Sequence, residues 1–297
     1  MRSSGTVFCI ASAAAFGAMA VLGKLAYADG ATVGTLLAAR FVLAAGVFWA
    51  LMLGAGALDE IRALPRRDVA IALGLGACGY AIQAGSYFAA LERTEASLAA
   101  LLLYTFPSIV AVAAVALGRE RLDRRRVAAL ALASGGLVLV LVGAGAGALD
   151  PLGAALALAA AVFYSAYILV SERVAGRLRP QVLSALVCSG AAVSLTTGSA
   201  LLGQLRPGAV SLAGWGWLVC LGVLCTVVAI VLFFAGLRRV GPTSASILST
   251  VEPVVTVLLA YLVFGEVLGP VQVLGGALVL ACIPVLNMRL RTASVSD

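Results

Sequence analysis

The sequence predicts an all-α integral membrane protein of ten transmembrane helices, arranged as two inverted five-helix repeats. Three observations carry that expectation. Of the 297 residues, 63% are hydrophobic and only 11% charged, whereas a soluble domain of this size carries roughly a quarter. The apolar residues gather into runs of about 20, the length a helix needs to cross ~30 Å of hydrocarbon. The second half of the chain also repeats landmarks of the first.

Ten runs can be marked, each bounded by charge, proline or glycine: residues 5–27, 31–54, 68–91, 95–117, 127–144, 151–171, 181–203, 212–237, 243–264 and 270–288. The first opens on Met1-Arg2-Ser3-Ser4 and resembles a secretory leader. It continues through Val21, Leu22 and Gly23 to Lys24 without a small-residue cleavage site, so a retained first span is expected. The second carries Arg40 about ten residues from its start, at a depth where an ionisable group is costly. Gly74-Leu75-Gly76-Ala77-Cys78-Gly79 in the third matches G-x-G-x-x-G. A dinucleotide site would need a strand before it and a helix opening at the glycines; inside an apolar run these glycines predict close helix packing. Gly135-Gly136 in the fifth and Gly275-Gly276 in the tenth read the same way. Pro107 and Pro253 fall inside the fourth and ninth runs and predict kinks that free a carbonyl toward a cavity.

The positive charges give the orientation, because short cytoplasmic loops keep an excess of Arg and Lys. With the N-terminus in the cytoplasm, one side receives Arg2; Arg62, Arg66 and Arg67; Arg119, Arg121, Arg124, Arg125 and Arg126; Arg173, Arg177 and Arg179; Arg238 and Arg239; and Arg289 and Arg291. The other side keeps Arg93 and Arg206. Both termini are therefore expected in the cytoplasm. The formal charge of +7 is spread over these joints rather than gathered in one basic domain, so no nucleic-acid partner is expected.

Ser86-Tyr87-Phe88-Ala89-Ala90-Leu91-Glu92-Arg93 pairs with Leu232-Phe233-Phe234-Ala235-Gly236-Leu237-Arg238-Arg239. At the same spacing Pro107 falls on Pro253, Glu120 on Glu266, Leu122 on Leu268 and Val127 on Val273. This is a tandem duplication, with copies at 1–146 and 147–297. An odd number of spans per copy forces the second to enter the membrane upside down, the layout of many secondary transporters.

The stretches Tyr104-Thr105-Phe106-Pro107 to Gly118-Arg119-Glu120, and Val251-Glu252-Pro253 to Gly265-Glu266, resemble the two EamA domains of the drug/metabolite transporter superfamily. The resemblance covers nearly the whole chain and implies a ten-helix carrier in a bacterial cytoplasmic membrane. Many such carriers export amino acids and other metabolites, and the layout is nearest to exporters of aromatic and hydrophobic amino acids.

Composition argues against chemistry of other kinds. Without histidine the chain lacks the usual general base and the commonest metal ligand. Its six cysteines, Cys9, Cys78, Cys188, Cys220, Cys225 and Cys282, lie inside apolar runs with no C-x-x-C pair, as small packing residues do. No metal, no cofactor and no enzymatic activity are expected.

Candidate lining residues come from helical spacing. Tyr80, Gln83 and Tyr87 share one face of the third run; Tyr164, Tyr167 and Ser171 share one of the sixth; and Ser249, Glu252 and Thr256 share one of the ninth. With Tyr104 they would line a mostly apolar substrate cavity with a few hydroxyls, although ordinary packing uses the same spacing. Glu252 is the deepest acid and the candidate for coupling to a proton, or it is structural beside Pro253. Lys24 and Glu172 lie near enough to helix ends to snorkel. Arg40 is expected to pair with an acid or a carbonyl and hold the bundle.

The expectation is a secondary carrier for small, partly apolar metabolites, foremost aromatic or hydrophobic amino acids, working by alternating access. Its partners are a small-molecule substrate and the lipid bilayer. Export of amphiphilic drugs and flipping of a lipid-linked sugar by the same fold are the alternatives. A membrane-embedded transferase is disfavoured by the lone deep acid.

Overall fold

The computed structural model describes residues 2–55, 63–91, 93, 102–121, 123–143, 150–264 and 269–287, and these residues are helical with short connections. Part of the fourth run, the junction between the repeats, Leu122 with its counterpart Leu268, and residues 288–297 lie outside them.

A helical element lies on each apolar run. They are α1 (Arg2–Ala28), α2 (Val33–Gly54), α3 (residues 66–91), α4 (Phe106–Ala116), α5 (Arg124–Gly143), α6 (Pro151–Ala175), α7 (Pro180–Leu201), α8 (residues 212–240), α9 (residues 242–264) and α10 (Pro270–Asn287). By length and apolarity, seven described stretches are long enough to cross a membrane: those of α1, α2, α3, α6, α7, α8 and α9. Large apolar side chains such as Leu51, Val112, Val193, Leu212 and Leu262 cover the outside. That surface suits hydrocarbon rather than water.

Local chemistry sets the helix starts. Thr32, Asp150 and Ser211 cap α2, α6 and α8 by accepting from the N–H groups of Thr35, Gly153 and Gly214 at 3.1, 2.6 and 3.0 Å. Asp123 does the same ahead of α5, accepting from Arg126 N–H at 2.9 Å and from the Arg125 guanidinium at 2.7 Å. Partial desolvation opposes its charge, yet these donors hold the Asp123 carboxyl below its ordinary value.

Two helices are not uniform. α3 runs as Arg66–Gly74, a π-helical turn Leu75–Tyr80 and Ala81–Leu91; α8 runs as Leu212–Gly222, a π-helical turn Val223–Val228 and Ala229–Val240. The two wide turns lie at nearly matching places in the two halves. Two other helices are broken, more completely than the kinks expected at their prolines. Tyr104–Thr105 form a turn after which α4 starts, with Pro107 in its first turn. α9 consists of Pro242–Ser249, a turn at Thr250, and Val251–Phe264, with Pro253 near the start of the second part. The preceding helical stretches end at Leu103 and Ser249, four residues before each proline, where the missing proline N–H would have bonded the carbonyl. The prolines thus interrupt the ladder as expected, and each also lies in the first turn of the segment that follows.

The main helix contacts run between the halves and come in matched sets. α1 packs on α8 and α9, as α6 packs on α3 and α4; α7 packs on the π turn of α3, as α2 packs on the π turn of α8; and α2 meets α7, α4 meets α9 and α5 meets α10. Glycines bring these helices to backbone contact. Gly76 lies against the Val187 carbonyl and Gly190 against that of Leu73, while Gly136 of α5 faces the Gly275 carbonyl of α10. Small residues matter here because lipid tails remove most of the hydrophobic drive between helices, leaving dispersion and close approach. Of the G-x-G-x-x-G glycines, Gly76 packs on α7 and Gly79 faces the Tyr167 ring, whereas Gly74 has open space beside it.

Polar links tie both ends of the bundle. At the Arg-rich end Arg119 meets Glu172 at 3.5 Å, Arg177 meets Asp68 at 3.3 Å and Arg126 meets Glu120 at 3.4 Å. At the other end Asp29 accepts from Ser211 Oγ at 2.9 Å and from Trp217 Nε1 at 3.0 Å. Lys24 is exposed and Glu172 half-buried.

A methyl added at Gly76 would run into the α7 backbone, while one at Gly74 meets nothing within 4 Å. Gly76→Ala should therefore cost about 1–3 kcal/mol by overpacking, lowering the apparent melting temperature of the detergent-solubilised protein. Gly74→Ala should leave that temperature unchanged or raise it.

Candidate functional site

The interior is organised around Arg40, which is 2% exposed in α2. Its Nε donates to Thr226 Oγ1 at 2.7 Å, and its Nη2 donates to the Tyr80 hydroxyl at 3.1 Å and the Cys225 carbonyl at 3.3 Å. Tyr80 ends the π turn of α3, while Cys225 and Thr226 lie in the π turn of α8. One guanidinium thus joins both wide turns. Thr226 passes its own proton to the Leu221 carbonyl at 2.9 Å, so its hydroxyl is used as donor and acceptor. The Arg40 carbon also stands 5.0 Å from the Phe41 ring centre and 5.9 Å from that of Tyr80. The expectation that Arg40 pairs with a carbonyl and holds the bundle agrees with these contacts.

From Tyr80 a series of rings leads across the interior. Tyr80 meets Tyr167 edge-on at 5.9 Å, Tyr167 stacks with Tyr164 at 6.2 Å, Tyr164 meets Phe106 at 4.6 Å, and Phe106 meets Tyr104 at 5.9 Å. These separations fall in the range where aromatic pairs attract beyond their buried area. The series ends at Tyr104, whose hydroxyl lies near the Glu252 carboxyl. Glu252 also lies within electrostatic range of Arg40, Tyr80, Tyr87 and Tyr164.

The sequence-derived residues sort into two groups. Tyr80, Gln83, Tyr87, Tyr104, Tyr164 and Glu252 are half-buried. Among the described residues the Gln83 amide makes no hydrogen bond. Tyr167 is 5% exposed, sandwiched among Tyr80, Tyr164 and Phe234, and belongs to the packing behind the lining. Ser249 is 6% exposed and donates to the Ala245 carbonyl at 3.0 Å. The turn at Thr250 separates Ser249 from Glu252, so the helical spacing expected to align them does not carry across. Thr256 donates to the Gly17 carbonyl of α1 at 2.9 Å, and Ser171 to the Ile168 carbonyl at 3.0 Å. Their hydroxyls are committed to backbone.

Spacing arguments missed Thr226, the Cys225 carbonyl, Phe41 and Phe106. The duplication held a signal for one of them: the shift that places Pro107 on Pro253 places Tyr80 on Thr226. Arg40 therefore grips equivalent positions of the two copies.

The sequence profile of the EamA-like transporter family matches this chain twice, over residues 3–142 and 151–288. An uncharacterized transporter of Archaeoglobus fulgidus is 31% identical over 209 residues, covering 70% of this chain and 73% of its own. The uncharacterized transporter YcbK of Bacillus subtilis is 27% identical over 283 residues, covering 92% and 89%. One protein of known crystal structure shares the fold with a TM-score of 0.81 over 97% of each chain, at 23% identity.

Thr226→Val would leave a buried charged donor, Arg40 Nε, without its acceptor. The expected loss is about 1–3 kcal/mol, read as a lower apparent melting temperature, with Thr226→Ser close to wild type. Equal stability of both variants would show that the Arg40 bond to Thr226 does not hold α8.

Proposed function

The chain belongs to the EamA-like transporter family of the drug/metabolite transporter superfamily, and we propose that this membrane transporter exports small, partly apolar metabolites by alternating access. Aromatic and hydrophobic amino acids are the foremost cargo, and the setting is a bacterial cytoplasmic membrane with both termini in the cytoplasm. The observation that carries the reading is the series of interior rings from Tyr80 through Tyr167, Tyr164 and Phe106 to Tyr104, with Arg40 bonded to Tyr80 at one end and Glu252 near Tyr104 at the other. Ring faces accept apolar and aromatic groups, while hydroxyls and two charged groups at membrane depth supply polar contacts that lipid cannot.

The matched contacts between halves support ten spans in two inverted repeats, the first ending and the second beginning near residue 146. An exchange of roles between two such halves turns an inward-open state into an outward-open one of similar energy. The helix breaks at Tyr104–Thr105 and Thr250 lie beside the lining on opposite halves, where segments can swing without disturbing a continuous ladder of hydrogen bonds. Glu252, as the acid facing the lining, is the group through which a proton would couple to transport. No ATP-binding loop occurs in the sequence, so the drive is the cargo gradient or a coupled ion.

Proteoliposomes loaded with unlabelled L-phenylalanine should accumulate labelled L-phenylalanine transiently above equilibrium, with the amino acid chemically unchanged. A channel would give no overshoot and an enzyme would give a product. For orientation, a cysteine at Gly208 should react with an impermeant thiol reagent in intact cells and one at Ser294 should not; the reverse pattern would invert the proposed topology.

A further inference from the structure

Resting on the carrier reading, we propose that the turn Gly118–Arg121 between α4 and α5 is a strap that locks the Arg-rich end of the cargo path, and that it must let go of α6 and α9 for that end to open. The strap belongs to the first half of the chain, and both helices it holds belong to the second.

The backbone of the strap aims its two grips. α4 closes on Gly118, whose φ of +66° is the left-handed conformation that ends many helices, and the N–H groups of Arg119 and Glu120 both return to the Ala114 carbonyl, at 2.9 and 3.3 Å. From that folded turn Arg119 Nη1 donates to the Leu169 carbonyl at 2.5 Å and meets Glu172 at 3.5 Å, both on α6. Glu120 reaches the start of α9. Its Oε1 fills the space in which a side chain on Gly241 would stand, so a methyl there would collide with it. Gly241, at φ +81°, directly precedes the first turn of α9, where a carboxylate meets the positive end of the helix dipole. Arg126 of α5 stands 3.4 Å from the other oxygen, Oε2, and the Glu120 side chain is only 10% exposed, so salt screens this contact weakly. Every residue of Pro242–Ser249 beneath it is buried, Thr243 included, whose hydroxyl has no hydrogen-bond partner among the described residues.

On sequence alone, the opposite end lacks the parts for the same lock. At the repeat spacing Arg119 corresponds to Gly265, Glu120 to Glu266, Gly241 to Glu95 and Arg126 to Gln272. Where the Arg-rich end sets an acid against a glycine and a helix start, the counterpart sets an acid against an acid, and neither Gly265 nor Gln272 supplies a cation. Gln272 instead accepts from the Gly269 N–H at 2.8 Å. Two halves that pack alike therefore differ in what holds their ends. The carrier rests closed at the Arg-rich end, and each transport cycle has to release Arg119 from α6 and Glu120 from the start of α9.

Two measurements on the full-length protein in proteoliposomes test the lock. The first places a reporter beneath it. Thr243→Cys replaces a hydroxyl that makes no hydrogen bond, and its reaction with a charged thiol reagent is followed above the background of the native cysteines. That rate should be slow with the strap intact and rise roughly five- to tenfold when Glu120→Gln or Arg119→Ala is added. A rate unchanged by both would overturn the proposal. Glu120→Gln keeps the shape of the side chain and decides the matter alone if Arg119→Ala does not fold. The second measurement ties the strap down. Arg119→Cys with Glu172→Cys, joined by a short bifunctional thiol reagent that forms disulfides, should lose counterflow of labelled L-phenylalanine and regain it on reduction. Undiminished counterflow in the cross-linked protein would make the strap a static brace and overturn the proposal. Failure of the carrier reading shows differently, as absence of counterflow for every solute in the unmodified protein, while the Thr243→Cys rates still report on the lock.

Discussion

Arg40 is a full positive charge held in the interior by side chains and backbone from two other helices, and most of the central architecture follows from meeting its needs. A guanidinium removed from water is tolerated only when its N–H groups find acceptors. Here those acceptors are the Tyr80 hydroxyl on α3 and the Thr226 hydroxyl and Cys225 carbonyl on α8. The helices that present them must approach α2 closely, and Gly222, facing the α2 backbone at Arg40, allows α8 to do so. Phe41 and Tyr80 then lie against the cation at 4.8 Å from each other. The start of the ring series is thus fixed by the same contact that satisfies the guanidinium N–H groups.

The matched helix contacts make the bundle look symmetric, but its chemistry is not. At the repeat spacing the counterpart of Arg40 is Leu186 and that of Glu252 is Phe106, both almost fully buried at 3% and 1% exposure. Each copy has one charged group where the other has an apolar one, and both charges face the same interior. The packing repeats between the halves, while the side chains that differ give the interior a polar direction. A lining with equal chemistry from both halves would lack the opposed pair of charges.

The apolar runs were legible because each is bracketed by charge, proline or glycine, and helical elements lie on all of them. The prolines were legible as points of interruption but not as full breaks: the turns at Tyr104–Thr105 and Thr250 follow the residues four before Pro107 and Pro253, whose carbonyls the prolines leave without a donor. For the same reason Ser249 was expected to line the site with Glu252, although the turn between them sends its hydroxyl to Ala245. Arg40 stood out because ionisable groups in apolar runs are rare, but its acceptors did not. A threonine and a backbone carbonyl in an apolar helix look like any others until the fold brings a donor to them.

The two π turns carry a consequence for the motion of the helices that hold them. A π turn widens a helix and interrupts its regular ladder, and α3 and α8 have theirs at nearly matching places, within two residues of the repeat spacing. Because Arg40 donates to groups in both turns, the two weakened points hang on one side chain, and a shift of either helix at its turn must stretch or break a bond to that guanidinium.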